Sequence, residues 1–419
     1  MEIDGNGDFW VASAPNDHFS SFGISQLGAD GWAVHNRLSG MPSDDLVSLE
    51  RDARGRLWVG SWGAGVSVRS GGGNLWFDLD EDNSPLRGLG GNGDFVVVSD
   101  IERDVEGNMW MVNVQFGIVV VSGFPVAQSH FFEQGELGFR AGLDLNELTI
   151  GPGGLKWLTS PTNGFGVLDD GGTPFDGSDD QALFIETLDD SRLSSDRVSE
   201  LEIGADGTIW VATDNGLNRI QGTYNRAANS LDVDSWSVLV EADGLPSRQI
   251  NDLEGDSCGN MWVATDEGLT RISSGGNVAL PFTKRNSGLI NNRVNSLLFD
   301  EDNQEMWIAT FDGLNRLDIP ACDEDNPTGL TIYPNPFVNA SGSGSTLTFD
   351  GLPLGATVQI FTAAGELVRQ LDGVSGQGRH LWNGQNESGF LVASGIYIFL
   401  ADDGAGNRLR GKFAVLTAP

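Results

Sequence analysis

Short apolar runs recur along the chain at nearly constant spacing, each bounded by polar and glycine-rich positions. Leu57-Trp-Val-Gly60, Met109-Trp-Met-Val112, Ile209-Trp-Val-Ala212 and Met261-Trp-Val-Ala264 are too short for helices and rich in strand-favouring residues, so they predict buried strands. After them, Leu217-Asn-Arg-Ile220, Leu269-Thr-Arg-Ile272 and Leu314-Asn-Arg-Leu317 alternate apolar and polar positions, as half-buried strands do. Gly216, Gly268 and Gly313 mark the turns between the two. Upstream, Gly40-Met-Pro-Ser, Gly244-Leu-Pro-Ser and Gly288-Leu-Ile-Asn precede a further apolar run in each unit, predicting one more strand.

Trp10, Trp58, Trp110, Trp157, Trp210, Trp262 and Trp307 anchor seven such units, with gaps of 48, 52, 47, 53, 52 and 45 residues. Glycine stands three positions before the Trp in six of them: Gly7, Gly55, Gly107, Gly154, Gly207 and Gly259. Asp4, Asp52, Asp104 and Asp256 stand six positions before it, replaced elsewhere by Gly151, Gly204 and Glu301. Asp-x-x-Gly is turn chemistry: the carboxylate accepts backbone N–H groups and the glycine supplies a left-handed position. Four strands of about five residues and their turns fill one period, which is one propeller blade. The expected fold is therefore all-β, a seven-bladed β-propeller over residues 1–318, with each Trp packing between neighbouring blades as part of the repeat.

The pattern Asp-x-x-Gly-x-x-Trp-[Val/Ile]-[Ala/Gly]-Thr-x-x-Gly-Leu-x-Arg resembles the two-component-regulator propeller repeat. That family builds β-propellers in bacterial sensor ectodomains and secreted proteins. The resemblance implies a fold and carries no catalytic residues with it. The last unit ends at Leu317-Asp318 without an outer strand like Trp236-Ser-Val-Leu-Val240, and Met1 is followed by acidic rather than basic and apolar residues. Both observations lead to the expectation that the natural N-terminus, with its signal peptide, is missing from this chain.

Residues 319–330 form an acidic linker marked by proline and glycine, and 331–419 return to short alternating runs between Gly-rich turns, predicting a small β-sandwich. Tyr333-Pro-Asn-Pro-Phe337, Val358-Gln-Ile-Phe-Thr-Ala-Ala-Gly365, Trp382-Asn-Gly-Gln-Asn-Glu-Ser-Gly389 and Ser394-Gly-Ile-Tyr397 resemble the Ig-like domains of the hook-capping family and the C-terminal sorting domains of type IX (Por) secretion. Asn383 stands where the hook-capping pattern usually has Asp. A propeller followed by such a tail is also the order of the surface propeller component of Por secretion systems. The two prolines predict an edge or opening strand at 333–337, with Leu381-Trp382 and Ile396–Phe399 supplying the core, and little contact between tail and propeller.

Charge narrows the partners. Fifty-nine Asp and Glu against 24 Lys and Arg give a net charge of −35, which excludes nucleic acid and electrostatic docking on anionic lipid. No run is long and apolar enough to span a membrane. Only three of the 24 cations are Lys, a composition expected either of a GC-rich genome that favours Arg or of a protein working in high salt.

Catalytic constellations are poor. His18, His35, His130 and His380 form no zinc spacing, and there is no nucleophile elbow or phosphate loop. His35 and His130 are the two candidates for a lyase base on one ring face, without an identifiable partner. Asp78–Ser84 begins like a calcium loop, but Asn83 and Leu89 stand where Gly and Glu are needed. Asp169, Asp170, Asp176, Asp179 and Asp180, with the runs at 300–302 and 323–325, read as solvated loops, with calcium as the alternative cofactor. Cys258 and Cys322 are too few for a disulfide framework, though one bridge between them would pin the end of the ring.

The expectation is a non-enzymatic secreted or outer-membrane-surface propeller. One ring face would bind a protein or glycan, and residues 331–419 would engage the type IX machinery for export or attachment. The alternative is a secreted lyase or carbohydrate-active enzyme with its site at the channel mouth. Converging catalytic groups at that mouth favour the enzyme; a merely acidic mouth favours the binding protein.

Overall fold

The Asp-x-x-Gly turns set the first hairpin of each unit. The N–H of Asp4 donates to Asp8 O and that of Gly7 to Asp4 O, and the same pair of bonds recurs at Asp52, Asp104 and Asp256. A computed structural model describes residues 1–13, 23–69, 75–90, 94–133, 144–273, 276–279, 281–319, 330–339, 346–350, 352, 356–372, 379–402 and 408–417. Among them the fold is all-β, with four short 3-10 turns and no α-helix.

The chain forms two compact units, Met1–Leu239 with Arg248–Asp252, and Val240–Ser247 with Leu253–Pro419. The first holds five four-stranded antiparallel groups, numbered here as sheets, whose strands pair in chain order; the second and third are joined into one eight-stranded sheet where Trp62 and Gly63 pair with Val97 and Val96. Sheet one is Glu2–Ile3, Phe9–Ser13, Gly23–Gly28 and Gly31–His35. Sheet two is Leu46–Arg51, Leu57–Gly63, Val66–Arg69 and Trp76–Leu79, and sheet three is Val96–Arg103, Met109–Asn113, Gly117–Ser122 and Gln128–Glu133. Sheet four is Glu147–Ile150, Lys156–Ser160, Gly164–Asp169 and Gln181–Ile185. Sheet five is Val198–Ile203, Ile209–Thr213, Gly216–Asn225 and Ser230–Leu239. The second strands of sheets three, four and five are buried at every residue, and those of sheets three and four meet a neighbouring sheet on each face.

Sheet six comprises Ile250–Gly255, whose chain crosses the division between the units, Met261–Thr265 and Gly268–Ile272. Among the described residues it has three strands and two isolated bridges, Leu269 to Phe282 and Ile272 to Val278. Sheet seven, Val294–Asp300, Glu305–Thr310 and Gly313–Asp318, has three strands among the described residues; most of the linker, 320–329, lies outside them.

The tail folds as two sheets around one core. Thr331–Tyr333, Leu347–Asp350 and Arg379–Trp382 form the first; Phe337–Asn339, Arg408–Thr417, Gly395–Asp402, Thr357–Thr362 and Leu367–Leu371 form the second. Pro334 and Pro336 lie between two edge strands, one in each sheet. Trp382, Tyr397 and Phe399 enter the core, whereas Leu381, Ile396 and Ile398 face outward, as strand alternation requires.

Contact between the tail and sheets six and seven is larger than the linker composition suggests. The Tyr333 ring lies 4.6 Å from that of Phe282, and the buried Arg271 guanidinium is 3.9 Å from buried Asp350. A cavity of about 720 Å³ lies beside them, lined by Arg271, Phe282, Arg316, Tyr333 and Lys412. Apolar Phe282 and Ile319 need cover, which Tyr333 helps to supply. Cys258 is disulfide-bonded; the chain's only other cysteine, Cys322, lies outside the described residues.

Candidate functional site

Each Trp of the repeat sits on the second strand of its sheet. Trp10 packs with Leu46, Leu57 and Val59 of sheet two, Trp58 with Val98 and Met111 of sheet three, and Trp110 with Leu148 and Leu158 of sheet four. Trp157 meets Leu201 and Val211 of sheet five, and Trp262 meets Leu297 and Ile308 of sheet seven. The repeat aspartates do more than close turns. Asp4, Asp52, Asp104 and Asp256 accept the indole N–H of Trp10, Trp58, Trp110 and Trp262 at 3.0, 3.1, 2.9 and 2.9 Å. Burial opposes the charge on Asp52, but hydrogen bonds from Arg56 and Trp58 outweigh it and hold that carboxyl below its usual range.

Where glycine replaces the aspartate, the indole closes the space. A Cβ at Gly151 would stand 2.8 Å from Trp157 Nε1, and one at Gly204 3.1 Å from Trp210 Nε1. The glycines three before the Trp have φ between 70° and 86°, and Gln304 takes their place in the seventh unit with φ 54°. The arginine of Leu-x-Arg is the cross-strand neighbour of the Trp: Arg219, Arg271 and Arg316 lie 5.4, 5.9 and 5.9 Å from the Trp210, Trp262 and Trp307 rings.

The functional candidates lie on the first strands. Opposite the Trp residues, the register places Glu2, Glu50, Glu102 and Glu202, with Thr149 at this position in sheet four. Two residues earlier stand Ser48, Asp100, Glu147 and Glu200. The first unit thus carries two tiers of carboxylates on neighbouring first strands, extended by Asp252, whose charge reaches Glu147, Glu200 and Glu202.

Burial and mutual repulsion push these carboxyls up. Burial, then the charge of Glu2, raises Glu50 to about 8; burial, then Asp252, raises Glu202 to about 8; burial raises Asp100 to about 6. Glu102, Glu147 and Glu200 are raised well above the carboxylate range by burial and then by neighbouring acids. The charge of Glu147 is the largest of the acidic influences that raise Glu200. Among the described residues, cations pair with the band at its margin: Arg51 is 3.9 Å from Glu2 and Arg103 3.5 Å from Glu50. Asp100 also accepts the Leu148 N–H at 2.9 Å.

No described histidine joins this band. His35 is buried on the last strand of sheet one against Trp10 and Trp76, with Nε2 2.9 Å from Gln26 Oε1, and burial with Arg69 lowers its pKa. His130, on the last strand of sheet three, packs edge-on to Phe132, and His380 meets Ala356 O in the tail; His18 lies outside the described residues. The acidic loop at 169–180 is closed by protein cations: Asp169 and Asp179 pair with Arg226 and Asp170 with buried Lys156. Asp78–Ser84 is knitted by its own turn bonds, with Asp82 N–H donating to Asp80 and the Asn83 amide to Asp78 O. Among the described residues no group of three or more His, Cys, Asp or Glu has metal-holding geometry.

The tier positions are legible as spacing. Glu2, Glu50, Glu102, Glu202 and Glu254 each stand eight residues before a repeat Trp, a signal that counting from the Trp toward the C-terminus passes over.

The two component regulator propeller family matches residues 244–267 and 288–312. No curated protein matches the chain in sequence. Among solved structures, PorZ of Porphyromonas gingivalis, a surface component of the type-IX secretion system, superposes with a TM-score of 0.65 at 22% identity, over 94% of this chain and 55% of that one. The extracellular domain of the hybrid two component system BT3049 from B. thetaiotaomicron gives 0.59 at 14% identity, over 99% of this chain and 55% of that one. Virginiamycin B lyase from Staphylococcus aureus gives 0.55 at 13% identity, over 76% of this chain and 94% of that one. These likenesses define the class: an all-β chain of propeller type that carries two component regulator propeller repeats. It spans about half the length of PorZ and of the BT3049 domain.

Proposed function

We propose that this chain is a non-enzymatic, surface-exposed propeller that binds a protein or glycan through one face of its ring, with the tail serving type IX export or attachment. In this reading the seven sheets are blades around a channel, the first strands line it, and residues 331–419 are an Ig-like sorting domain. The observation that carries the reading is the carboxylate band: converging acids with no described histidine among them. Held largely protonated near neutral pH, these carboxyls offer hydrogen-bond donors and acceptors to polar neutral groups at the channel, and a cation entering it favours their charged form. The likeness to PorZ and to an extracellular sensor domain supports a surface location, as does the disulfide at Cys258, which suits an oxidising compartment.

The test is delivery. Residues 331–419 fused behind a periplasmic reporter should carry it to the surface of a host with a type IX system, and not of the same host lacking the translocon. A reporter that stays in the periplasm of both makes the tail an accessory module. The enzymatic reading keeps one supporting observation, the two buried carboxyls Glu147 and Glu200 on neighbouring first strands, both raised well above the carboxylate range, since raised carboxyls serve in acid–base catalysis. It requires that Glu200→Gln abolish turnover of a glycan substrate.

A further inference from the structure

The tail's second sheet carries apolar side chains on both faces. Along Gly395–Asp402, Tyr397, Phe399 and Ala401 are buried, while Ile396 and Ile398 on the opposite face are 52% and 42% exposed. Strand pairing spreads the patch: Ile398 lies beside Phe361, which pairs with exposed Leu367, and exposed Leu416 pairs with exposed Val338. A sheet with one solvated face alternates apolar and polar residues, whereas a strand apolar on both sides is the pattern of one covered on both. Contiguous exposed apolar patches of this kind mark interaction surfaces.

We infer that a second copy of this chain covers this face, the five-stranded sheets of two tails stacking about a two-fold axis. Charge selects this occupant. Residues 331–419 hold six carboxylates and five cations, a net of −1, so the remainder carries −34 of the total −35. Two copies therefore repel least where their tails meet. The face also bears both signs, with Lys412 opposite Ile398, Arg410 opposite Leu400, and Asp402 closing the same strand. An apolar surface with cations and a carboxylate on one flank is complementary to itself, as an isologous contact requires. The contact is independent of the export role proposed above, because it needs only the folded chain.

Sedimentation of the full chain between about 1 and 100 µM tests this, in low salt and in about 1 M NaCl. A monomer–dimer equilibrium that tightens with salt is expected, since salt screens repulsion between the acidic parts. Ile396→Asn with Ile398→Asn should weaken it at least about tenfold without moving the melting transition, because both side chains are exposed. Val105→Asn, at an exposed site in the first unit, should leave it unchanged. Should the double variant melt early, Leu416→Gln on the neighbouring strand takes its place. A monomer throughout the range, or a dimer that both face variants leave intact, overturns the inference.

Discussion

Asp104 holds three donors at once: the Asn108 backbone N–H at 2.7 Å, the Asn108 amide at 2.8 Å and the Trp110 indole at 2.9 Å. Asp104→Ala leaves buried donors unsatisfied and should cost about 2–4 kcal/mol in urea unfolding. Gly207 isolates the other half of the turn. Nothing lies within 4 Å of a Cβ placed there, yet φ is +81°, so Gly207→Ala should cost only the left-handed strain, about 1 kcal/mol. A Gly207→Ala protein as damaged as Asp104→Ala would mean that the turn's glycine, not its carboxylate, anchors the unit. The turn role of both residues is readable from Asp-x-x-Gly. The indole bond is not, because an acceptor six residues away reaches the ring only after the turn has closed and the second strand has paired back.

At the scale of the element, the first strands combine ordinary strand propensity with unusual electrostatics. Ser48-Leu-Glu50, Asp100-Ile-Glu102 and Glu200-Leu-Glu202 each direct the middle residue toward apolar packing and the outer two toward the other face. Carboxyls raised in the folded state bind protons more tightly there than in the unfolded chain. Their stabilising contribution is complete below the unfolded carboxyl range and is lost as pH rises through about 6 at Asp100 and about 8 at Glu50 and Glu202. The unfolding free energy from urea titration should therefore fall between about pH 5.5 and pH 8.5, by on the order of 1 kcal/mol per group. Glu50→Gln with Glu202→Gln should flatten that decline; an unchanged slope would show that the band is solvated and its carboxyls ordinary. The acids are visible in the sequence, but their mutual proximity is a property of neighbouring sheets.

For the whole molecule, the tail is a structural partner of sheets six and seven as well as a separate fold. Deleting residues 331–419 removes Asp350 from Arg271 and Tyr333 from Phe282, so the melting transition of the remaining chain should drop by several degrees. Calorimetry of the full and shortened chains decides this; coincident transitions would show that these contacts contribute nothing to stability. The contact escapes a reading of the linker because an acidic, proline-marked segment speaks only for its own ten or so residues. Phe282 and Tyr333, 51 positions apart, declare nothing until the sheets on which they act are placed.

What the sequence by itself determined about this protein is local and periodic. The spacing of seven Trp residues, the turn chemistry before each, and the alternation after each specify strands and hairpins, because these depend on residues within a few positions of one another. The all-β character and the propeller likeness follow from that repetition. Tertiary structure alone decided which carboxyls raise one another, which cations close the acidic loop at 169–180, and which strands of the tail keep an apolar face exposed. Each of these depends on distances between residues remote in the chain, where burial and repulsion act through space.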